Sequence, residues 1–343
     1  MPKELSHWLL AKETARRLPD GLIRESVESY PDLFQLGAVI FDSAFYAVRY
    51  PHAAEASEAG LRLHGIDGED TYEPLRGLLA SELTEGRDPG RGVPLPTLSF
   101  VAGCVTHIMG DTHFHPLVNF FSGKYYADDR AERDRSQRRH RRFEAALDRH
   151  FLSVSGEELR NGGSLGRTLA ASTAAVGDRL EDLAAGLYYG SGGPERPAMI
   201  PLLRRHATVQ KLFGSSMAAS LARAIGALLG GGAAGVAAAF YSSDPPGGYA
   251  LFRAPIEYRH PNTGEERRES VAELLDRAAS AGTAVLGTLA KWAQSVDAAT
   301  DPFGGERGVS LEVGCDFREY PTVTHTDTSM PMDELLGAAG PPA

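Results

Sequence analysis

Two chelating steps stand out in the first half of the chain, His107-Ile-Met-Gly-Asp111 and His140-Arg-Arg-Phe-Glu144. Residues four apart share one face of a helix, so each step can turn an imidazole nitrogen and a carboxylate oxygen toward a single cation. Nitrogen and oxygen donors without thiolates are the ligand chemistry of zinc hydrolases. The two steps differ in their surroundings. His107 and Asp111 follow the apolar run Leu98-Ser99-Phe100-Val101-Ala102-Gly103-Cys104-Val105, where an unsatisfied imidazole and carboxylate would cost on the order of several kcal/mol. Ligation, or a functional acid–base pair, is the favoured reading there. His140 and Glu144 lie among many arginines, and by spacing alone they read as a surface pair. His113 and His115 compete for the next ligand position. On a continuing helix His115 falls about 40° from Asp111, with His113 on the far side; His115 is preferred, with His113 as the alternative or as a group supporting a ligand from behind.

The elements that must carry these residues are helical. Residues 6–18 predict a helix capped by Ser6, with His7 in its first turn and Pro19-Asp20-Gly21 as its stop. Residues 30–47 form an apolar run into which Asp42 is set, a lone acid that needs a partner. Residues 71–83 space Leu75, Leu78, Leu79 and Leu83 as a helix does, and 86–96 read as a loop. A buried helix from Thr97 should end near His115, because Pro116 disfavours helical geometry before it. Residues 128–149 predict a long charged helix with His140, Phe143, Ala146 and Leu147 inward. Residues 165–187, 200–228 and 270–296 continue the helical pattern; 249–258 and 309–324 alternate enough for short strands or extended straps. The stretch 217–240, interrupted by Arg223 and by Gly230-Gly231-Gly232, reads as a buried helical hairpin in preference to a membrane element.

The chain of 343 residues is long enough for one large domain or a domain with an extension. A net charge of -10 disfavours nucleic acid as a partner. Cys104 and Cys315 are expected as buried free thiols. The start, Met1-Pro2-Lys3-Glu4, has no signal-peptide pattern, and a cytoplasmic location is expected, with no transmembrane segment. The Gly-rich runs 162–164 and 190–193 lack the spacing of a phosphate loop and read as linkers. His150, His206, His260 and His325 show no chelating partner at a readable spacing, and His52 follows Pro51 in a predicted loop.

Taken in order, Ser6-His7-Trp8-Leu9, Leu36-Gly37-Ala38 leading to Phe41-Asp42, Leu63-His64-Gly65, His107xxxAsp111 with His115-Pro116, and His140xxxGlu144 resemble the bacterial zinc-dependent phospholipase C family, which is similar in fold to the single-strand-specific zinc nucleases. The resemblance covers roughly residues 1–152. It implies an all-α zinc hydrolase fold in which His64, His107 and Asp111, with Asp42 beside them, hold one metal, and His115, His140 and Glu144 a second. His7 matches the histidine of a third site, with Asp111 bridging. His52 competes with His64, whose flanking residues fit the family better. Secreted members complete the third site with a processed N-terminal tryptophan, whereas Trp8 is internal here; the expectation is therefore two zinc ions, with the third in question and Trp8 and His7 beside it.

The activity implied by the resemblance is that of a zinc-dependent phosphoric ester hydrolase cleaving a phospholipid between glycerol and phosphate, with Asp42 orienting or deprotonating a water. The alternatives are a phosphodiesterase or nuclease on a soluble substrate, or a metal-stabilised interaction protein. Peripheral membrane contact is a further expectation. The expected organisation is a zinc-binding helical core over 1–155, a mainly helical region over 156–331 that completes or covers it, and a tail over 332–343.

Overall fold

Helix α6, Leu95–Ser122, is the axis of the structure. Its apolar and small residues are distributed around the whole circumference, which is the pattern of a helix enclosed on every side. The computed structural model describes residues 4–84, 92–155, 164–190, 196–229, 231–241, 249–295 and 300–337. The fold is all-α. Part of the 86–96 loop and most of both Gly-rich runs (162–163 and 191–193) lie outside the described residues, as does the end of the tail beyond 337.

Packed on α6 are α1 (Glu4–Arg17), α2 (Leu22–Ser29), α3 (Pro31–Ile40) and α7 (Arg130–Val154). The closest crossing is α3 on α6. A Cβ on Gly37 would lie 2.2 Å from the Phe100 carbonyl oxygen, and one on Gly103 would lie 2.1 Å from that of Phe34. Only glycine at both positions lets the two backbones approach so closely. α3 passes directly into a 3-10 turn, Phe41–Tyr46, which carries Asp42. α4 (Ala53–Leu63) ends at His64, and α5 is Glu73–Thr84.

α6 does not end at His115. It runs through Pro116 for almost two more turns. The missing N–H and the ring deprive the Thr112 carbonyl of its helical donor, and that oxygen lies against Gly314, where a Cβ would be 2.2 Å away. Burial of the whole helix outweighs the local preference. Ser6 does not cap α1 either. It lies inside the first turn, and the cap comes from α7: Asp148 accepts from the Ser6 N–H (2.9 Å), the Leu5 N–H (3.3 Å) and the Ser6 hydroxyl.

The remaining helices are more broken than periodicity suggests. Residues 165–187 divide into α8 (Leu165–Val176) and α9 (Arg179–Tyr189) at Gly177, whose φ of 57° only glycine adopts readily. Residues 200–228 divide into α10 (Met199–Phe213) and α11 (Ser216–Leu229), followed by α12 (Gly231–Ala238). α11 and α12 do pair as a hairpin, but it is not buried: its large apolar side chains face outward. β1 (Ile256–Arg259) pairs antiparallel with β2 (Glu266–Glu269). Residues 309–324 contain no strand and form a turn-rich strap. α13 (Val271–Ser295) packs on α1 and α6, and α14 is Met332–Leu335. Cys104 is buried, whereas Cys315 is only half-buried; both are free.

Candidate metal centre

The uninterrupted α6 puts His107, Asp111, His115 and Asn119 on one face at successive steps of four. Opposite them stand His7 from the first turn of α1, Asp42 from the 3-10 turn, His64 at the end of α4, and His140 with Glu144 from α7. Two groups of converging donors result: Asp42, His64, His107 and Asp111, and His115, His140 and Glu144. None of these side chains is more than 6% exposed.

Four imidazoles are fixed in the same tautomer. The Nδ1–H groups of His64 and His107 donate to the carbonyls of Gly60 (2.7 Å) and Ala38 (3.0 Å), and that of His115 donates to Leu311 in the strap. A carbonyl can only accept, so the hydrogen sits on Nδ1 and Nε2 presents its lone pair inward. His140 Nδ1 donates to the Asn119 side-chain oxygen at 3.1 Å, and the Asn119 amide N–H is turned away to the Glu312 carbonyl. Such outer partners orient metal-binding histidines and raise their basicity.

The inward atoms have the spacing of a shared cation. Two donors at tetrahedral positions on one zinc, each at its usual bond length, lie ~3.4 Å apart. Asp111 Oδ2 is 3.2 Å from His107 Nε2 and 3.7 Å from His64 Nε2, and Asp42 Oδ1 is 3.4 Å and 3.6 Å from His64 and His107. In the second group Glu144 Oε1 is 3.0 Å from His140 Nε2 and 3.8 Å from His115 Nε2. Asp111 reaches both groups, because its Oδ1 lies 3.9 Å from His115 Nε2 and 3.4 Å from His7 Nε2. Both Asp111 oxygens, Asp42 Oδ1, the Nε2 atoms of His64, His107 and His115, and both nitrogens of His7 are buried without a hydrogen-bond partner among the described residues. Buried polar atoms left this way are costly, and a zinc ion in each group would satisfy all of them except the two nitrogens of His7, which belongs to neither group. The donor set fits the metal.

The electrostatics favour anionic carboxylates. Burial pushes Asp111 up, but the imidazoles of His115 and His107 outweigh it and hold the carboxyl well below the usual range. Asp42 is likewise lowered, burial being overcome by His107 and His64, and Glu144 is well below its ordinary value, burial being overcome by His140 and His115. Burial pushes His140 down to about 4 despite Glu144, which leaves the ring neutral as a ligand must be. His7 and His115 move the other way: burial lowers them, yet Asp111 draws both above their ordinary value.

The other candidates lie apart. His52 is exposed and pairs with Glu55 at 2.6 Å. His113 donates to the Met109 carbonyl at 2.8 Å and lines a separate cavity beside Arg267, Arg277 and Phe303. Trp8 is buried, its indole N–H donating to the Gln35 carbonyl at 2.9 Å. Gly162-Gly163-Ser164-Leu165-Gly166 has the spacing of a nucleophile elbow, but Ser164 is an exposed helix cap that accepts from Arg167 N–H. Several supporting residues escape the sequence reading. Asn119 and Asp148 continue the steps of four beyond His115 and Glu144, so their signal is present in the spacing. His206 is buried between Ser43 Oγ (3.0 Å) and Glu4 Oε1 (2.5 Å) and ties the start of α1 to the turn that carries Asp42; no spacing announces it.

A family model described as zinc dependent phospholipase C matches residues 6–182. That span includes every donor described above. No curated protein and no solved structure matches the chain.

Proposed function

Because the chain belongs to the zinc-dependent phospholipase C family, we propose that its two donor groups hold two zinc ions and that the protein hydrolyses a phospholipid between glycerol and phosphate. The observation that carries this reading is the convergence, at the spacing of shared cations, of buried nitrogen and oxygen atoms from four elements, the 3-10 turn, the end of α4, α6 and α7. Zinc bound there supplies Lewis acidity toward the phosphate oxygens and toward water. The chain's own residues do the rest. Asp42, held anionic beside His107 and His64, orients the attacking water and accepts its proton. Asp111 links the two groups, and the carbonyl-bound imidazoles keep their lone pairs directed inward. His7 faces Asp111 without a carbonyl to fix its tautomer; we assign it to positioning Asp111.

The test is zinc analysis of purified protein together with hydrolysis of phosphocholine, phosphoinositol and nucleotide esters. Stoichiometric zinc, turnover of phospholipid esters, and loss of turnover in Asp42→Asn with zinc retained are expected. Hydrolysis of nucleotides but not lipids would move the assignment to a soluble phosphodiester; zinc without turnover of any ester would leave a structural metal core.

A further inference from the structure

Helix α11 is built inside out for a helix in water. The residues it turns to the protein are small: Ala219 and Gly226 are buried, and Ala218 and Ala222 are half-buried. Its large apolar side chains point to solvent, with Met217 81%, Leu221 62%, Ile225 41% and Leu228 84% exposed. These positions recur at steps of four, four and three, so they form one stripe along the helix. Val236 on α12 extends it at 53% exposure. A monomeric protein normally keeps such a stripe covered.

Charge narrows the choice of partner. The whole chain carries a net charge of -10, yet residues 211–243 contain Lys211 and Arg223 and no acidic residue. A second copy docked stripe to stripe would set this acid-free, cationic segment against itself. A lipid surface presents phosphate to both cations and an apolar interior to the stripe. The helices do not span: no described helix is long and apolar enough to cross a membrane. The stripe is also anchored to the candidate metal centre. α12 packs on α7, with Gly235 against the side chains of Arg138 and Arg141, and Tyr241 beyond it donates to Asp148 at 2.8 Å, one turn past Glu144.

We propose that the outward face of the α11–α12 hairpin is a docking surface for a phospholipid bilayer, which seats the protein with the α7 ligands beside the membrane. The proposal rests on the phospholipid reading above for its biological purpose, but its test does not. Wild type and Leu221→Glu/Leu228→Glu are compared by co-sedimentation with vesicles of mixed phosphatidylcholine and phosphatidylserine, alongside zinc content and hydrolysis of a soluble phosphodiester. Wild type should sediment with vesicles, and the double variant should lose partitioning about tenfold or more with zinc and soluble turnover unchanged. Arg223→Gln, at a residue exposed and bonded only to Ser220 among the described residues, should weaken binding about fivefold, and gives a reading even if the double variant does not fold. Wild type remaining in the supernatant, variants that sediment like wild type, or a wild-type dimer that the double variant abolishes without affecting vesicles would each overturn the proposal. Vesicle binding by a protein that hydrolyses no phosphate ester would support docking while removing the enzymatic reading.

Discussion

Replacing Gly103 with alanine tests whether the crossing of α3 and α6 sets the metal centre. The added Cβ would sit 2.1 Å from the Phe34 carbonyl oxygen and 2.9 Å from the Ala38 nitrogen, whereas ordinary contact begins near 3.4 Å. Both neighbours are backbone, so no side chain can swing aside, and the helices must part by about 1 Å. Alanine favours its own helix by about 1 kcal/mol over glycine, while overpacking a core costs about 1–3 kcal/mol. The net loss of stability is therefore at most about 2 kcal/mol, and the protein stays folded. The donors are less forgiving, since ligand distances at a zinc site hold to about 0.2 Å. Asp42 follows α3 while His107 and Asp111 ride on α6, and the Nδ1–H of His107 donates to the Ala38 carbonyl at 3.0 Å across the same crossing. Separation breaks that bond and pulls the first donor group apart, with an expected loss of about 10–100-fold in zinc affinity. Chelator competition measures the affinity and urea unfolding the stability. Gly77→Ala is the control, because Gly77 lies in α5 with nothing within 4 Å of its added Cβ, and it should stabilise by about 0.5–1 kcal/mol. Gly103→Ala with wild-type zinc affinity and reduced stability would refute the coupling between crossing and centre. Gly103→Ala stabilised like the control would refute the packing argument itself.

Two further outcomes are expected. Asn119→Ala removes the oxygen that holds His140 Nδ1, and zinc affinity should fall about 10–100-fold with little change in the stability of the chelated protein; equal affinity would mean that His140 needs no orienting partner. In the chelated protein His113 should contribute an acid-side loss of stability: burial pushes its pKa down to about 4 from an ordinary 6.5. The unfolded chain therefore takes up the proton first as pH falls, so the contribution is complete above about 6.5 and is lost toward 4, amounting to about 3 kcal/mol at most. The difference in urea midpoint between pH 7 and 4.5 should shrink in His113→Gln; an unchanged difference would place the acid lability elsewhere.

The donors are legible in the sequence because side-chain chemistry and helical spacing are both written there. His107, Asp111 and His115 need only a helix, and an apolar one makes their ligation the economical reading. What spacing does not supply is the company of His140 and Glu144, which read as a surface pair until the fold buries them; only the ordered resemblance brings them in. Pro116 misleads for a physical reason: a local backbone preference says nothing of the burial on every side that overrides it. The helical runs over 165–187 and 200–228 extend in the sequence across Gly177 and Gly214 because apolar periodicity continues where the backbone turns. The hairpin reads as buried because its residues are apolar, and hydrophobicity alone does not say which face a helix shows.

The groups that orient the histidines are mostly backbone carbonyls, and a carbonyl has no letter in a sequence. Gly60 and Ala38 lie within the matched segment, four and 69 residues from the ligands they assist. The Leu311 carbonyl does not: it reaches His115 from the strap, 196 residues further along, and the Leu311 N–H returns to the His64 carbonyl at 2.9 Å. The neighbouring Glu312 carbonyl fixes Asn119, and through it His140. One short turn thus sets the direction of two ligands of the second donor group and is tied to the backbone of His64 in the first, yet it lies far outside residues 6–182. The donors and the groups that aim them belong to different parts of the chain. Folding of the matched segment can bring the ligands near one another, but the lone pairs of His115 and His140 are fixed only when the strap is laid across α6.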